Sequence, residues 1–138
     1  MKIVYVLDAC AMLAVLSKEQ GADKVVEIYK KASHGEVELI MHKLNLFEVY
    51  YTVFRGYGKE SAKNFLKEVA SSSILINTEI SDEVFSEAGR LKTTYKISLA
   101  DSFALAQAIV SKGLLLTSDH HEFDVVEGNE DINFAWIR

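Results

Sequence analysis

The chain has 138 residues, about the size of one domain, and a chain of that length buries roughly 68% of its unfolded surface, so it needs no disulfide or structural metal to fold. A net charge of −5 excludes a basic footprint over the whole surface, and a single cysteine, Cys10, excludes an internal disulfide and suits a reducing compartment. The apolar stretch Ile3 to Leu16 is interrupted by Asp8 and is shorter than the roughly 20 residues of a spanning helix, so a soluble, cytoplasmic protein without a membrane segment is expected.

Lys2 to Leu7, KIVYVL, is a β-branched and aromatic run that reads as a strand buried on both faces, as in a parallel sheet. Asp8 ends it and is placed to cap a short helix over Ala9 to Leu16. Gly21 to Ala32 sets Val25, Val26, Ile28 and Tyr29 among Lys and Glu, an amphipathic helix that Gly35 ends. Glu36 to Met41 is the second strand. Lys43 to Arg55 predicts a helix that is apolar round most of its circumference. Its polar residues Asn45, Glu48, Thr52 and Arg55 are spaced three, four and three apart, in one narrow stripe. Gly56 and Gly58 punctuate a turn, and Ser61 to Ala70 is a further helix.

Ser73 to Asn77 is a third strand, and Ser81 to Tyr95 a helix with Ser81 as its cap. Ser98 to Lys112 is the next helix, ended by Gly113. Leu114 to Thr117 is the fourth strand, His120 to Glu127 contains one helical turn, and Asn133 to Ile137 is the last strand. There is no repeat, linker or low-complexity segment, so residues 1–138 read as a single domain. Strands alternating with helices argue an α/β fold: a three-layer α/β/α sandwich around a mostly parallel sheet of about five strands.

In such a sheet all strand C-termini share one edge. Asp8 follows the first strand and Asp119 follows the fourth, so both lie there. The helix after the second strand starts at that edge, with Glu48 about one and a half turns in. The Ser98 helix runs antiparallel to the fourth strand, which brings its N-terminal Asp101 to the same rim. Each acid alone also fits a local role. Asp8 is a helix cap, Ser98 to Asp101 matches a capping box, Glu48 belongs to a solvated stripe, and Asp119 sits in a Ser118-Asp119-His120 turn. Together, four like charges on one rim call for a cation, and oxygen-only ligands suit magnesium or manganese.

The segments VLDACAML around Asp8, LNLFEVYY around Glu48, SLADSFALAQA around Asp101 and LLTSDHHEFD around Asp119 resemble the PIN domain. More narrowly, they resemble its single-domain toxins of the VapC type. The resemblance covers the whole chain. It implies a metal-dependent endoribonuclease that leaves a 5′-phosphate and a 3′-hydroxyl, with one or two Mg2+ or Mn2+ ions held by Asp8, Glu48, Asp101 and Asp119. It also implies a homodimer and a cognate antitoxin. Thr117 matches a hydroxyl position that supports the fourth acid, with Ser118 beside it, and Asp124 matches an acid found near the metal in some members. The chain departs from the family after its first acid, where Ala9 and Cys10 replace the usual Ser, Thr or Asn.

Cys10 reads as a packing residue, with no His near it in sequence. Arg55, Lys59, Lys63 and Lys67 recur every four residues, either as an RNA backbone track or as a solvated face. From Gly113 to Ile137, by contrast, there is no Lys or Arg. His120 and His121 read as surface turn residues, and the aromatics Phe47, Tyr50, Tyr51 and Phe54 as a partner groove or core. Two rival functions remain: a PIN-like module that binds RNA or protein without cutting, and a phosphatase or phospho-acceptor α/β domain using Asp8 as nucleophile. The second wants another Asp where Cys10 stands, and no P-loop motif occurs.

Overall fold

The short β-branched runs pair into one sheet in the computed structural model, which describes residues 1–138. The strands are β1 (Ile3–Leu7), β2 (Val37–His42), β3 (Leu75–Asn77), β4 (Leu114–Thr117) and β5 (Asn133–Trp136). Their order is β3-β2-β1-β4-β5, and every adjacent pair is parallel. The helices are α1 (Ala9–Leu16), α2 (Ala22–Ser33), α3 (Lys43–Tyr57), α4 (Lys59–Ala70), α5 (Asp82–Thr94), α6 (Leu99–Ser111) and α7 (His120–Asn129).

Strand alternation divides the core into two layers. Val6 and Leu115 face one layer, with Phe103 and Leu105 of α6, Leu91 of α5 and Phe123 of α7. Leu7 and Leu116, the next residue on each strand, face the other, with Met12 of α1, Val25 of α2, Val49 of α3 and Phe65 of α4. Each fully buried Leu contributes about 1.5–3 kcal/mol. The sheet is therefore covered on both faces, the three-layer arrangement that alternating strands and helices imply.

Four local expectations are corrected. α7 is ten residues long, not one turn: Asp119 caps it, and Phe123 and Val126, three residues apart, bury one face among the acidic residues. β1 is not buried along its length; Ile3 is 52% exposed, and burial begins at Val6, where helices cover both faces. α3 continues through Gly56 to Tyr57, and only Gly58, at φ +92°, breaks it from α4. The basic series is thereby split between two helices. Asn45 does not share a solvated stripe with Thr52 and Arg55: it is fully buried, and they are exposed.

Gly113 sets the turn from α6 into β4. A Cβ there would lie 2.8 Å from the Val4 carbonyl oxygen, a backbone atom of the neighbouring strand. Gly56, inside α3, has nothing within 4 Å of the same position. Gly113→Ala should cost about 1–3 kcal/mol by overpacking, whereas Gly56→Ala should stabilise by about 0.5–1 kcal/mol through helix propensity. Urea unfolding of the two variants measures both signs.

Candidate active site

The chain leaves β1 to build β2 and β3 on one side, then returns to build β4 and β5 on the other. Connections after β1 and β4 diverge, and a crevice opens between them at the C-terminal edge. Asp8 follows β1 and Thr117 ends β4, side by side at that edge. Asp8 is 1% exposed; its Oδ1 accepts the Ala11 N–H at 2.8 Å, and its Oδ2 accepts the Thr117 hydroxyl. The same hydroxyl accepts the Asp119 N–H at 3.0 Å, and Asp119 Oδ1 accepts the Glu122 N–H at 3.1 Å. One threonine oxygen, donating once and accepting once, thus links the segments carrying the first and fourth acids. Capping and clustering are not rival roles for Asp8 and Asp119, which cap α1 and α7 where they stand.

Glu48 is half-buried on α3, and Asp101 is half-buried in the first turn of α6, where Ser98 Oγ accepts its N–H at 3.1 Å. Burial pushes the Asp8 carboxyl up to about 7, against the Thr117 and Ala11 hydrogen bonds and with the help of the Asp101 and Asp119 charges. Burial also pushes Asp101 up to about 7; the Asp119 charge adds most to this, the Ser98 hydroxyl opposes it, and Glu48 and Glu122 add less. Glu48 is raised by burial and then by Asp119. Burial first, and then the charges of Asp8, Asp119, Asp101 and Glu48 together, push the Cys10 thiol up to about 12. A thiol held protonated is no nucleophile, which agrees with a packing role.

Asp119 is therefore common to the field at Asp8, Cys10, Glu48 and Asp101. No lysine or arginine neutralises the group, because the ion pairs of the structure use Glu19, Glu27, Glu87, Asp124 and Glu130. As the side chains stand, no three His, Cys, Asp or Glu groups are arranged to hold a metal ion. The donor chemistry fits a hard divalent cation: carboxylate oxygens, mutually repelling and without a counter-charge.

The remaining candidates are placed differently. Asp124 is exposed, its carboxylate 2.8 Å from His120 Nδ1. His120 instead ties the chain end, with Nε2 donating to the Arg138 carbonyl at 2.8 Å and its ring stacked on Trp136 at 3.8 Å. The Ser118 carbonyl accepts the His120 N–H at 3.0 Å. His121 is exposed. Arg55 stands over the Tyr51 ring at 5.2 Å, and Lys59 and Lys63 are exposed on α4. Two further residues bear on the site. Glu122 adds charge at Asp101, and its signal was the Asp119-to-Glu122 capping spacing. Asn45, read as part of a polar stripe, donates its amide to the Ala100 carbonyl at 3.0 Å.

The PIN domain family model matches residues 5–129. No curated protein matches the chain in sequence. Among solved structures the fold is similar to VapBC-1 from nontypeable Haemophilus influenzae, at 15% identity and TM-score 0.75, covering 98% of each chain. It is similar to VapBC2 from Rickettsia felis, bound to a DNA fragment from its promoter, at 18% identity and TM-score 0.72, covering 96% of this chain and 98% of that one. It is also similar to Mycobacterium tuberculosis VapC20, a Sarcin-Ricin loop cleaving toxin, at 13% identity and TM-score 0.57, covering 82% of this chain and 86% of that one.

The raised carboxyls set a pH dependence. Folded Asp8 and Asp101 titrate near 7 against an ordinary 3.8, so between those values the folded chain holds protons that the unfolded chain has released. Their contribution is complete below the ordinary value and is lost as pH rises through 7. His42, lowered by burial, runs the opposite way, its contribution declining as pH falls below 6.5. Asp101→Asn should therefore gain stability relative to the unmutated chain as pH rises from 5 to 8, by roughly 1–3 kcal/mol. Metal-free urea unfolding at a series of pH values reads this difference, and His42 cancels from it.

Proposed function

The chain belongs to the PIN domain family, and on that premise we propose that it is a magnesium- or manganese-dependent endoribonuclease, the toxin of a toxin–antitoxin pair. The observation that carries the reading is the Asp119 charge felt at Asp8, Glu48 and Asp101: acids from four separate segments bear on one another, and none of them is ion-paired with a basic side chain. Asp8, Glu48, Asp101 and Asp119 would hold one or two ions. A divalent ion bound there lowers the pKa of an attacking water and stabilises the charge that develops on a phosphodiester. The Thr117 hydroxyl favours the ionised form of Asp8 and anchors the backbone of Asp119. Carboxyls titrating near 7 exchange a proton for a cation close to neutral pH, so ion uptake should release protons.

The proposal treats residues 1–138 as one domain acting in the cytoplasm, and no helix is long and apolar enough to cross a membrane. Arg55, Lys59 and Lys63 are the proposed contacts to the RNA backbone, with salt-sensitive binding. Structural neighbours that are toxin–antitoxin complexes support a cognate antitoxin. An apolar groove of about 230 Å³ between α1, α2 and α4, lined by Met12, Leu16, Val25, Tyr29 and Phe65, supports a protein partner on that side. Phe47, Tyr51 and Leu99, exposed together beside Glu48, support a homodimer. The Ala9-Cys10 departure favours a second reading, a PIN module that binds without cutting.

A labelled RNA mixture incubated with the purified chain and magnesium, manganese or chelator separates the two readings. Metal-dependent cutting is expected. Outer-shell partners of a metal cost roughly 10- to 100-fold when removed; Thr117→Val should fall in that range, and Asp101→Asn should lose at least as much. No cutting under any metal by folded, antitoxin-free protein would favour the non-cutting module. Equal cutting by Asp101→Asn would indicate a contaminating nuclease or a misplaced site.

A further inference from the structure

Asn45 is fully buried, and neither end of its amide is spent on its own helix. Its Nδ2 donates to the Ala100 carbonyl of α6 at 3.0 Å. Its Oδ1 is buried with no hydrogen-bond partner, the one such side-chain atom in the structure. An unsatisfied buried acceptor costs stability, so an apolar residue would serve mere packing of α3 on α6 better.

What the amide holds is the peptide that leads into Asp101. The carbonyl of the Ala100–Asp101 peptide is gripped by Asn45, and its N–H by Ser98 Oγ at 3.1 Å. Held on both sides, that peptide cannot turn, and the direction in which Asp101 leaves the backbone is fixed. Asn45 also lies three residues before Glu48 on α3, on the same helical face. One side chain thus joins the two helices that carry Glu48 and Asp101.

We propose that Asn45 is a positioning residue: its amide clips the Ala100–Asp101 peptide to α3, sets the Asp101 carboxylate against Glu48, and so governs how readily the acids close on a divalent ion. The inference rests on the reading of those acids as ion ligands. It assigns to Asn45 no contact with substrate or ion.

Asn45→Leu keeps the size of the side chain and removes both polar ends, and Asn45→Ser, too short to reach Ala100, serves as a second variant. Three quantities are read: amide hydrogen exchange at Asp101 and Ser102 in metal-free protein, manganese half-saturation by calorimetry, and RNA cleavage against manganese concentration. In both variants exchange should quicken about tenfold, and half-saturation should rise about tenfold, the lower end for outer-shell partners. Saturating manganese should restore most of the cleavage rate, because the acids themselves remain. The melting temperature of Asn45→Leu should hold, since an apolar group replaces an unpartnered oxygen. Unchanged exchange, or a lowered melting temperature with unchanged half-saturation, would overturn the proposal. Faster exchange in the variants with no manganese uptake by the unmutated chain would overturn the ion reading, and with it this role, while leaving the clip between helices intact.

Discussion

Placing β1 beside β4 is the constraint on which the rest of this structure depends. It makes the pair the point where the sheet reverses its order, so the connections that follow diverge and leave a crevice. It also sets Leu7 against Leu116, which puts Asp8 next to Thr117 and lets one hydroxyl hold the first acid and the backbone of the fourth. Glu48 and Asp101 come from α3 and α6, in opposite layers of the sandwich, and arrive at the same rim because both helices begin there. No local sequence preference would gather these groups.

The gathering opposes stability. Asp8 and Asp101 are both pushed up to about 7 by burial and by their neighbours, and no basic side chain offsets them. The fold sustains this with two dry layers, one on each side of the sheet, and with caps that use the same acids to start α1 and α7. A site that is destabilising when empty of positive charge is one that a cation stabilises, and strain of this kind is characteristic of functional sites. The orphaned oxygen of Asn45 belongs to the same pattern, a local cost borne where α3 meets α6.

Much of this was legible in the sequence, for physical reasons. Leu114 to Thr117 is a short apolar run between Gly113 and a polar turn, and it is the strand it reads as. The convergence of the four acids needed only the direction of each element and the shared edge of a parallel sheet. Other features were not legible. α7 was hidden because acidic residues outnumber the two that bury its face, Phe123 and Val126. Asn45 was misread because spacing tells which residues share a face, not which face is buried, and α3 is apolar on nearly all sides. Gly56 looked like a turn, yet a glycine with open space around it is tolerated inside a helix. The pairing of Asp124 with His120, one turn back on α7, needed the helix that the sequence hid.

The central claim is that Asp8, Glu48, Asp101 and Asp119 form one cation-binding group. Anomalous diffraction from crystals soaked in manganese tests it most directly. The account predicts a peak in the crevice between β1 and β4, about 2.1 Å from carboxylate oxygens of at least three of these acids, a distance suited to a small hard divalent ion. A crevice without a peak at saturating manganese, or a peak confined to the exposed His120 and Asp124 pair, would contradict it.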